Sequence, residues 1–485
     1  MNSLVKNSMY KLILNISNVF ITLMVGPYAI RVLNPDNMGK VYFAESVFGY
    51  FLIISTFGLY QYGIRELSKC RNDKTKFKQL FSSFMLIGLL ASLGTIILYI
   101  AFIMFKYSGT EEFTILMLYS INIVSNAVYV EYVVEALEEY KFVAVKTLSV
   151  KIVYLILLLL IVKGEGDTNK YVLLLLISTM LNNLISFIYI SKKVGYDFSN
   201  ITILRHIKFL IVVIIMANIN TLFNQLDRLM IGEFVDKSTV TYYTIPQSIS
   251  GTMNALMQSF TAVALPRLSN VLQTKGKEAY EILLRSVSRE FYYISIPAAI
   301  GMLVLSKEII LIYGGNEVAM AANTMKVFAI YFATLGVEYI LTNHILYLNK
   351  KEGKLMWFVL ASGLINLVLN FGLVAIGKLN ATTAITTTLI ANIMLITLEY
   401  LYIKKVIKVQ YKIFTKEIFK TITVCMSFFI VKLIVTMFTQ NIILVTIFTV
   451  IFSVGIYSVY VLKNSDQISS VVFSILKKAK VKFKR

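Results

Sequence analysis

The stretch Leu210-Ile-Val-Val-Ile-Ile-Met-Ala-Asn-Ile-Asn-Thr-Leu-Phe-Asn-Gln-Leu-Asp-Arg-Leu-Met-Ile-Gly232 decides the class of this chain. It is long enough to cross a bilayer as a helix, for which about 20 residues suffice. It nevertheless carries Asn218, Asn220 and Asn224, and then Asp227 beside Arg228. Neighbours on a helix point about 100° apart, so the two charges cannot share a face. Either Arg228 snorkels to the nearby interface and takes Asp227 with it, or the two mark a cavity or a partner. The rest of the chain reads as two similar bundles meeting near this helix.

Composition gives the same class. The 485 residues are 57% hydrophobic and 15% charged, with a mean hydropathy of +0.73. A soluble protein of this length needs far more polar surface, so the expectation is an all-α polytopic membrane protein. The net charge of +21 would suggest nucleic acid in a soluble chain. Here the basic residues crowd alternate loops, the positive-inside pattern, and nucleic acid is not expected as a partner. Cys70 falls in a loop and Cys425 in a span, so no disulfide is expected. The first apolar segment holds Pro27 and Arg31 and outruns a signal-peptide core, so it should remain as the first span.

About fourteen spans are expected, each near 20 residues. They fall at 10–33, 41–64, 80–105, 113–134, 146–162 and 171–190, then 209–232, 240–265, 290–312, 324–348, 355–376 and 382–403. Two more, 418–438 and 442–462, precede a basic tail. This divides the chain into 1–203, 204–407 and 408–485. With both termini cytoplasmic, the inner loops collect Arg65, Lys69, Arg71, Lys74, Lys76 and Lys78, and later Arg267, Lys275, Lys277, Arg285 and Arg289. Outer loops such as Gly164-Glu-Gly-Asp167 are short and acidic. The tail, with Lys477, Lys478, Lys480, Lys482 and Lys484, reads as an anchor drawn to anionic lipid, with RNA as the alternative. A faint echo links Val41-Tyr-Phe-Ala-Glu-Ser46 with Thr241-Tyr-Tyr-Thr-Ile-Pro-Gln-Ser248, each opening an inward-running helix. Six helices separate the copies, which implies parallel repeats about an axis along the membrane normal.

No catalytic constellation is apparent. His206 and His344 have no cysteine or second histidine nearby to complete a metal site. There is no Gly-x-x-x-x-Gly-Lys-Ser/Thr loop for ATP. Glu131, Glu135, Glu138 and Glu139 cluster where the fourth span ends. They read as a solvated helix end with Lys141 alongside, or else as carboxylates for acid–base work. An enzyme is not expected. Asn15 and Asn18, Asn122 and Asn126, and Asn366 and Asn370 recur at helical-face spacing within spans. Such rows either tie helices together or line a wet cavity.

The segment Gly58-Leu-Tyr-Gln-Tyr-Gly-Ile-Arg-Glu-Leu-Ser68 resembles the Wzx-type polysaccharide flippases. So do Leu226-Asp-Arg-Leu-Met-Ile-Gly232, Val263-Ala-Leu-Pro-Arg-Leu-Ser-Asn270, Ile312-Tyr-Gly-Gly315 and Gly363-Leu-Ile-Asn-Leu-Val-Leu-Asn-Phe-Gly-Leu373. The ordered set runs across essentially the whole chain. The resemblance implies the multidrug/oligosaccharidyl-lipid/polysaccharide exporter fold, two six-helix lobes in a V around a central cavity, here with two C-terminal helices added. It implies a bacterial cytoplasmic membrane protein that moves undecaprenyl-pyrophosphate-linked oligosaccharide repeat units from the inner to the outer leaflet. Membrane lipids, a polysaccharide polymerase and chain-length machinery would be its partners. Lipid II flippases of the superfamily line their first spans with several arginines, whereas this first span has Arg31 alone. The alternatives are a cation-coupled multidrug antiporter of the same fold, a lipid II flippase, and a scaffold without transport, which would leave the polar spans unexplained.

A charged sugar–pyrophosphate head cannot cross hydrocarbon without losing its hydration. A wet cavity would keep the head solvated while the polyprenyl tail stays in lipid. No cofactor is expected, and ATP is not required. Moving about two negative charges outward across 100 mV gains roughly 4–5 kcal/mol, a bias above about a thousandfold.

Arg65 and Arg267, at the inner ends of paired spans, could meet the pyrophosphate; the alternative is anchoring alone. Arg31, Glu45, Asp227 and Arg228 lie near outer helix ends and are candidate gate residues. A sodium site is a further candidate, with Asp227, Asn366, Asn370 and Thr386 as ligands and Thr387 beside them. Some lipid II flippases bind sodium there with an Asp where this chain has Asn370, which removes a charge. Asn366 and Asn370 could equally bond between helices.

Pro27 removes a backbone hydrogen bond in the outer half of the first span and should bend it. Pro27→Ala is therefore expected to slow transport more than it lowers the amount of folded protein. Equal losses in transport and in folded protein would mean a kink needed only for packing.

Overall fold

The computed structural model describes residues 3–262 and 264–464. These residues are helical, with no strand among them, the all-α class expected. Ten helices among them are long and apolar enough to cross a membrane, or eleven if a pair bent by 71° is one span. The chain divides into two compact units, Met1–Thr241 and Tyr242–Arg485.

The first unit holds α1 (Ser3–Thr56), α2 (Leu59–Lys69), α3 (Lys74–Lys106), α4 (Phe113–Asn126) and α5 (Glu131–Ala136). It continues with α6 (Tyr140–Ile161), α7 (Thr168–Val194), α8 (Ile203–Phe234) and the first turn of α9 (Lys237–Ala262). The sequence predicts a turn of several residues between the first two spans. Instead, α1 carries a single non-helical residue, Asn34, at φ 65° and ψ 166°. Asn34 Oδ1 accepts the amide of Asn37 at 3.0 Å, which caps the stretch that follows. Pro35 stands where a missing N–H costs nothing. One residue thus does the work of the expected loop. The predicted fourth span, 113–134, is likewise interrupted, since residues 127–130 separate α4 from α5.

Aromatic rings fill the core between α2, α3 and α5. Tyr62 and Phe84 meet edge to face at 5.7 Å, and Phe84 meets Tyr132 at 6.3 Å. Tyr62, Gly63 and Leu67 form the buried face of α2, leaving Arg65 and Lys69 outside. That division is what an amphipathic helix at a bundle end produces.

The second unit holds the remainder of α9, α10 (Leu265–Thr274), α11 (Gly276–Val304) and α12 (Ser306–Gly314), the last two being the bent pair. The expected straight span 290–312 is therefore broken near Leu305. Next come α13 (Ala321–Tyr339), α14 (Glu352–Ala375) and α15 (Ala381–Tyr402). A π-helical turn extends α13 over Ile340–Tyr347, and another extends α15 over Ile403–Ile407. Asn380 starts α15 with a capping box completed by Thr383. The unit ends with α16 (Lys416–Cys425), α17 (Ser427–Phe438) and α18 (Ile442–Asn464). Cys70 and Cys425 are both free thiols. The basic tail lies outside the described residues.

Within the first unit, two glycines set how closely helices approach. A Cβ on Gly39 would stand 1.7 Å from the Lys237 carbonyl oxygen, and one on Gly232 would stand 2.2 Å from the Phe43 ring. Backbone cannot yield as a flexible side chain does. Gly39→Ala should therefore destabilise by about 1–3 kcal/mol, the usual cost of overpacking. Gly94→Ala, with nothing within 4 Å, should leave the melting temperature in detergent unchanged. Equal melting temperatures for the two variants would show that the Gly39 contact gives way.

Candidate functional site

The start of α8 and the outer face of α2 enclose a cavity of about 580 Å³ with the first turns of α3. Its charged lining is Arg65, Lys69, Lys76 and Arg205 against the single carboxylate of Glu66. Arg65 Nε lies 2.9 Å from Glu66 Oε1, and Lys69 Nζ reaches the same oxygen at 2.9 Å. The Arg65 guanidinium also sits over the Tyr62 ring, 5.2 Å from its centroid. Tyr62 Oη and His206 Nδ1 are 2.8 Å apart, and His206 Nε2 lies 3.1 Å from Thr202 Oγ1. Burial, reinforced by Arg205, holds the His206 imidazole below its ordinary value. A neutral ring suits this chain of hydrogen bonds. The cations remain exposed while their bases are fixed, an arrangement suited to an anion with several oxygens. Arg65 was legible in the sequence. The contributions of His206 and Arg205 were not, because His206 lies 144 residues along the chain from Tyr62 of α2.

Among the candidate gate residues, Glu45 of α1 and Arg228 of α8 are brought together, with Oε2 and Nη1 3.1 Å apart. Asp227 is buried, near Tyr50, while Arg31 is exposed. Pro27 lies inside α1, about two turns before the break at Asn34. The same end of the unit carries further ion pairs: Lys106 with Glu233 at 2.8 Å, and Lys237 with Glu112 at 3.5 Å.

The acidic cluster is only in part a solvated helix end, since Glu138 is exposed while Glu131 is largely shielded. Glu131 pairs with Lys146 at 2.9 Å, Glu138 with Arg71 at 2.8 Å, and Glu139 with Lys193. Tyr60 donates to Glu135 at 2.7 Å. The expected neighbour Lys141 is exposed, and the buried partner is Lys146, whose side chain is 2% exposed. Lys146 also donates to Ser186 of α7 at 2.6 Å. The available signal was a lysine inside an apolar run, which seldom stands without a partner.

The side chains of Asn15, Asn18, Asn218, Asn220 and Asn224 lie outside the described residues. Asn122 is half-buried, and the amide nitrogen of Asn126, at the α4 break, is buried without a hydrogen-bond partner. In the second unit, Asn366 Nδ2 donates to Thr388 at 3.0 Å, and Thr387 Oγ1 donates to Asn370 Oδ1 at 2.6 Å. Thr386 does not belong to this group. It is exposed and bonds to the Thr382 carbonyl of its own helix, since one residue turns the side chain about 100°. Asp227 belongs to the first unit and the asparagine pair to the second. Arg267, on α10, is exposed. No group of three His, Cys, Asp or Glu among the described residues could hold a metal ion.

These features define a multi-pass, all-helical membrane protein with a cationic cavity at one end of its first unit. The chain belongs to the polysaccharide biosynthesis protein family, whose sequence profile matches residues 4–272. Its fold is similar to that of a solved lipid II flippase, MurJ, in an inward closed conformation. The two share 17% identity, with 96% of this chain and 99% of that one covered, at a TM-score of 0.73. It is also similar to an inward-facing multidrug resistance MATE family transporter of the MOP superfamily. There the identity is 11%, with 81% and 96% covered, at a TM-score of 0.61. No curated protein matches the chain.

The Lys146–Glu131 pair makes a direct prediction. Lys146→Met leaves a largely shielded carboxylate without its cation and should cost about 3 kcal/mol. Adding Glu131→Gln should recover most of that loss, as read by thermal unfolding of the single and double variants. A double variant no more stable than Lys146→Met would assign the loss to packing and not to charge.

Proposed function

We propose that this protein is a flippase for lipid-linked oligosaccharide, moving undecaprenyl-pyrophosphate-linked repeat units from the inner to the outer leaflet for surface polysaccharide assembly. Membership of the polysaccharide biosynthesis family over residues 4–272 carries this reading. The cationic cavity gives it a chemistry. Arg65, with Lys69, Lys76 and Arg205, would receive the pyrophosphate on the cytoplasmic side of a bacterial cell membrane, and both termini would lie on that side. Arg267 would play the matching part from the second lobe, if the lobes divide at 203 and 407 as the sequence suggests. Polymerase and chain-length machinery would take the product at the outer face.

In this reading Glu45 and Arg228 form part of an outer gate, with Asp227, Arg31 and Pro27 beside it. Glu45 is about half exposed, so the pair contributes under about 1 kcal/mol while water reaches it and more only when shielded. Asn366, Asn370 and Thr387 act as a tie between α14 and α15, because their polar atoms already bond to one another. Sodium coupling would have to displace those bonds. The membrane potential acting on an anionic head is the simpler drive.

The competing reading is a multidrug antiporter, which the likeness of fold to a multidrug resistance transporter brings in. It would favour an acidic cavity for amphipathic cations, and this cavity carries four cations against one carboxylate. Arg keeps its charge and presents a planar fork to phosphate, which Lys does not. Arg65→Lys should therefore slow flipping of a fluorescent polyprenyl-pyrophosphate-linked oligosaccharide in proteoliposomes by about tenfold, the worth of one charge-assisted bond. Wild-type flipping by both Arg65→Lys and Arg267→Lys would remove the substrate role and leave topology anchoring.

A further inference from the structure

Two carboxylates face each other across α13 and α15 of the second unit, away from the cationic cavity. Asn392 Nδ2 donates to Glu338 Oε2 at 2.6 Å, and Thr342 Oγ1 donates to Glu399 Oε1 at 2.7 Å. Thr342 lies one turn beyond Glu338, and Glu399 two turns beyond Asn392, so the two bonds cross between the same helix faces. Glu399 is completely buried and Asn392 nearly so. Glu338 acts on Glu399 as a like charge, and no Lys or Arg among the described residues acts on either.

The inventory of donors is short by at least one. Among the described residues Glu399 Oε2 and Asn392 Oδ1, both buried acceptors, have no hydrogen-bond partner. Asn392 has already spent its amide on Glu338, so its idle oxygen is a separate sign that something cationic or hydrogen-bearing is missing. Both helices also pass into π-helical turns here. One contains Thr342 and the other begins four residues after Glu399. Such turns are rare and concentrate at functional sites.

Several charged groups on neighbouring elements are engaged elsewhere. On α11, Glu281 accepts the Gln410 amide and lies by Arg285, while Arg289 pairs with Glu290. Tyr292 bonds to Tyr411, and the Tyr280 hydroxyl donates to the His344 carbonyl. On α12, Glu308 pairs with Lys432, and Lys307 and Tyr313 are its other titratable groups. On α14 they are Glu352 and Lys354, in its first turn. On α13, Lys326 turns to Asn323 and Tyr339 packs against the His344 ring, leaving Tyr331. The π turn adds His344 itself and exposed Tyr347, and α15 adds Tyr400 and Tyr402 before Lys404 and Lys405 of its own π turn.

We propose that Glu338 and Glu399 form a proton-binding site that holds one proton between them at neutral pH and exchanges it during the working cycle. Two like charges sharing a shielded site cannot both ionise, so one carboxyl keeps its proton. That proton supplies the missing donor and removes half the repulsion. A proton needs no coordination shell, whereas a metal cation would need several oxygens placed around it.

Infrared difference spectroscopy of the whole protein in lipid, stepped from neutral to alkaline pH, tests this. The expected result is a protonated-carboxyl band at neutral pH that disappears on alkalinisation and is lost in both Glu338→Gln and Glu399→Gln. Flipping by the glutamine variants should also lose the pH dependence of the wild type. If a glutamine variant does not accumulate, Thr342→Val, which removes one donor, should shift the band without abolishing it. Absence of the band in wild type, or its survival in both glutamine variants, overturns the proposal. A band that appears only when potassium replaces sodium would mean that sodium occupies the site, and would overturn it equally. The spectroscopic result does not depend on the substrate, so its failure leaves the flippase reading untouched.

Discussion

Helices in a bilayer gain little from burying apolar side chains against one another, because lipid is as apolar as they are. Association then rests on close backbone approach and on polar bonds between helices. In the first unit the contact of α1 with α8 and the start of α9 supplies both. Gly232 leaves space for the Phe43 ring, and Gly39 leaves space for the Lys237 backbone. Lys237 in turn places its ammonium over Phe43, 3.7 Å from the ring centroid, and donates to the Gly232 carbonyl at 2.6 Å. Glu45–Arg228 and Lys106–Glu233 close the sides. The opening stretch of sequence carries charges at its end because that end is where α8 is fastened.

The same constraint explains what could be read in advance. Spans follow from long apolar runs, and the all-helical class follows from their number. The break at Asn34 was signalled by Asn-Pro, although its brevity was not, because a capping side chain can replace a loop. The break between α4 and α5 had no such signal. Residues 127–130 are Ala, Val, Tyr and Val, with neither Gly nor Pro, and tertiary bonds from Lys146 and Tyr60 to the following glutamates hold it open. Asn366 and Asn370 were found by their spacing. Of their threonine partners Thr387 was named in advance and Thr388 was not, while Thr386 turns away, because the pairing depends on how α14 and α15 are rotated and not on either sequence alone.

Buried charge is handled in two ways, and the second unit uses both, since Glu308 there pairs with Lys432. In the first unit, Lys146 meets Glu131, and Ser186 bonds to both partners, so the charges cancel locally. Such a pair is costly to break and has little reason to change during a cycle. In the second unit the carboxylates of Glu338 and Glu399 have only neutral donors. Neutral donors soften a charge without cancelling it, and so leave the protonation state open to change. A fixed pair suits a lobe that must keep its shape, and a titratable one suits an element that must switch.

The cationic cavity adds a last step to this argument. Anchoring alone needs positive charge near the inner surface, and exposed lysines on flexible stems supply it. Arg65 is not of that kind, because it is held by the Tyr62 ring on one side and by Glu66 on the other. Tyr62 is fixed by His206, whose ring is bonded at both nitrogens. Holding an arginine this firmly costs side-chain entropy, and topology does not require it. Glu66 already occupies Arg65 and Lys69 as an anion would. A pyrophosphate entering the cavity would therefore replace a carboxylate at cations already in position, so most of the ordering cost is met before it arrives.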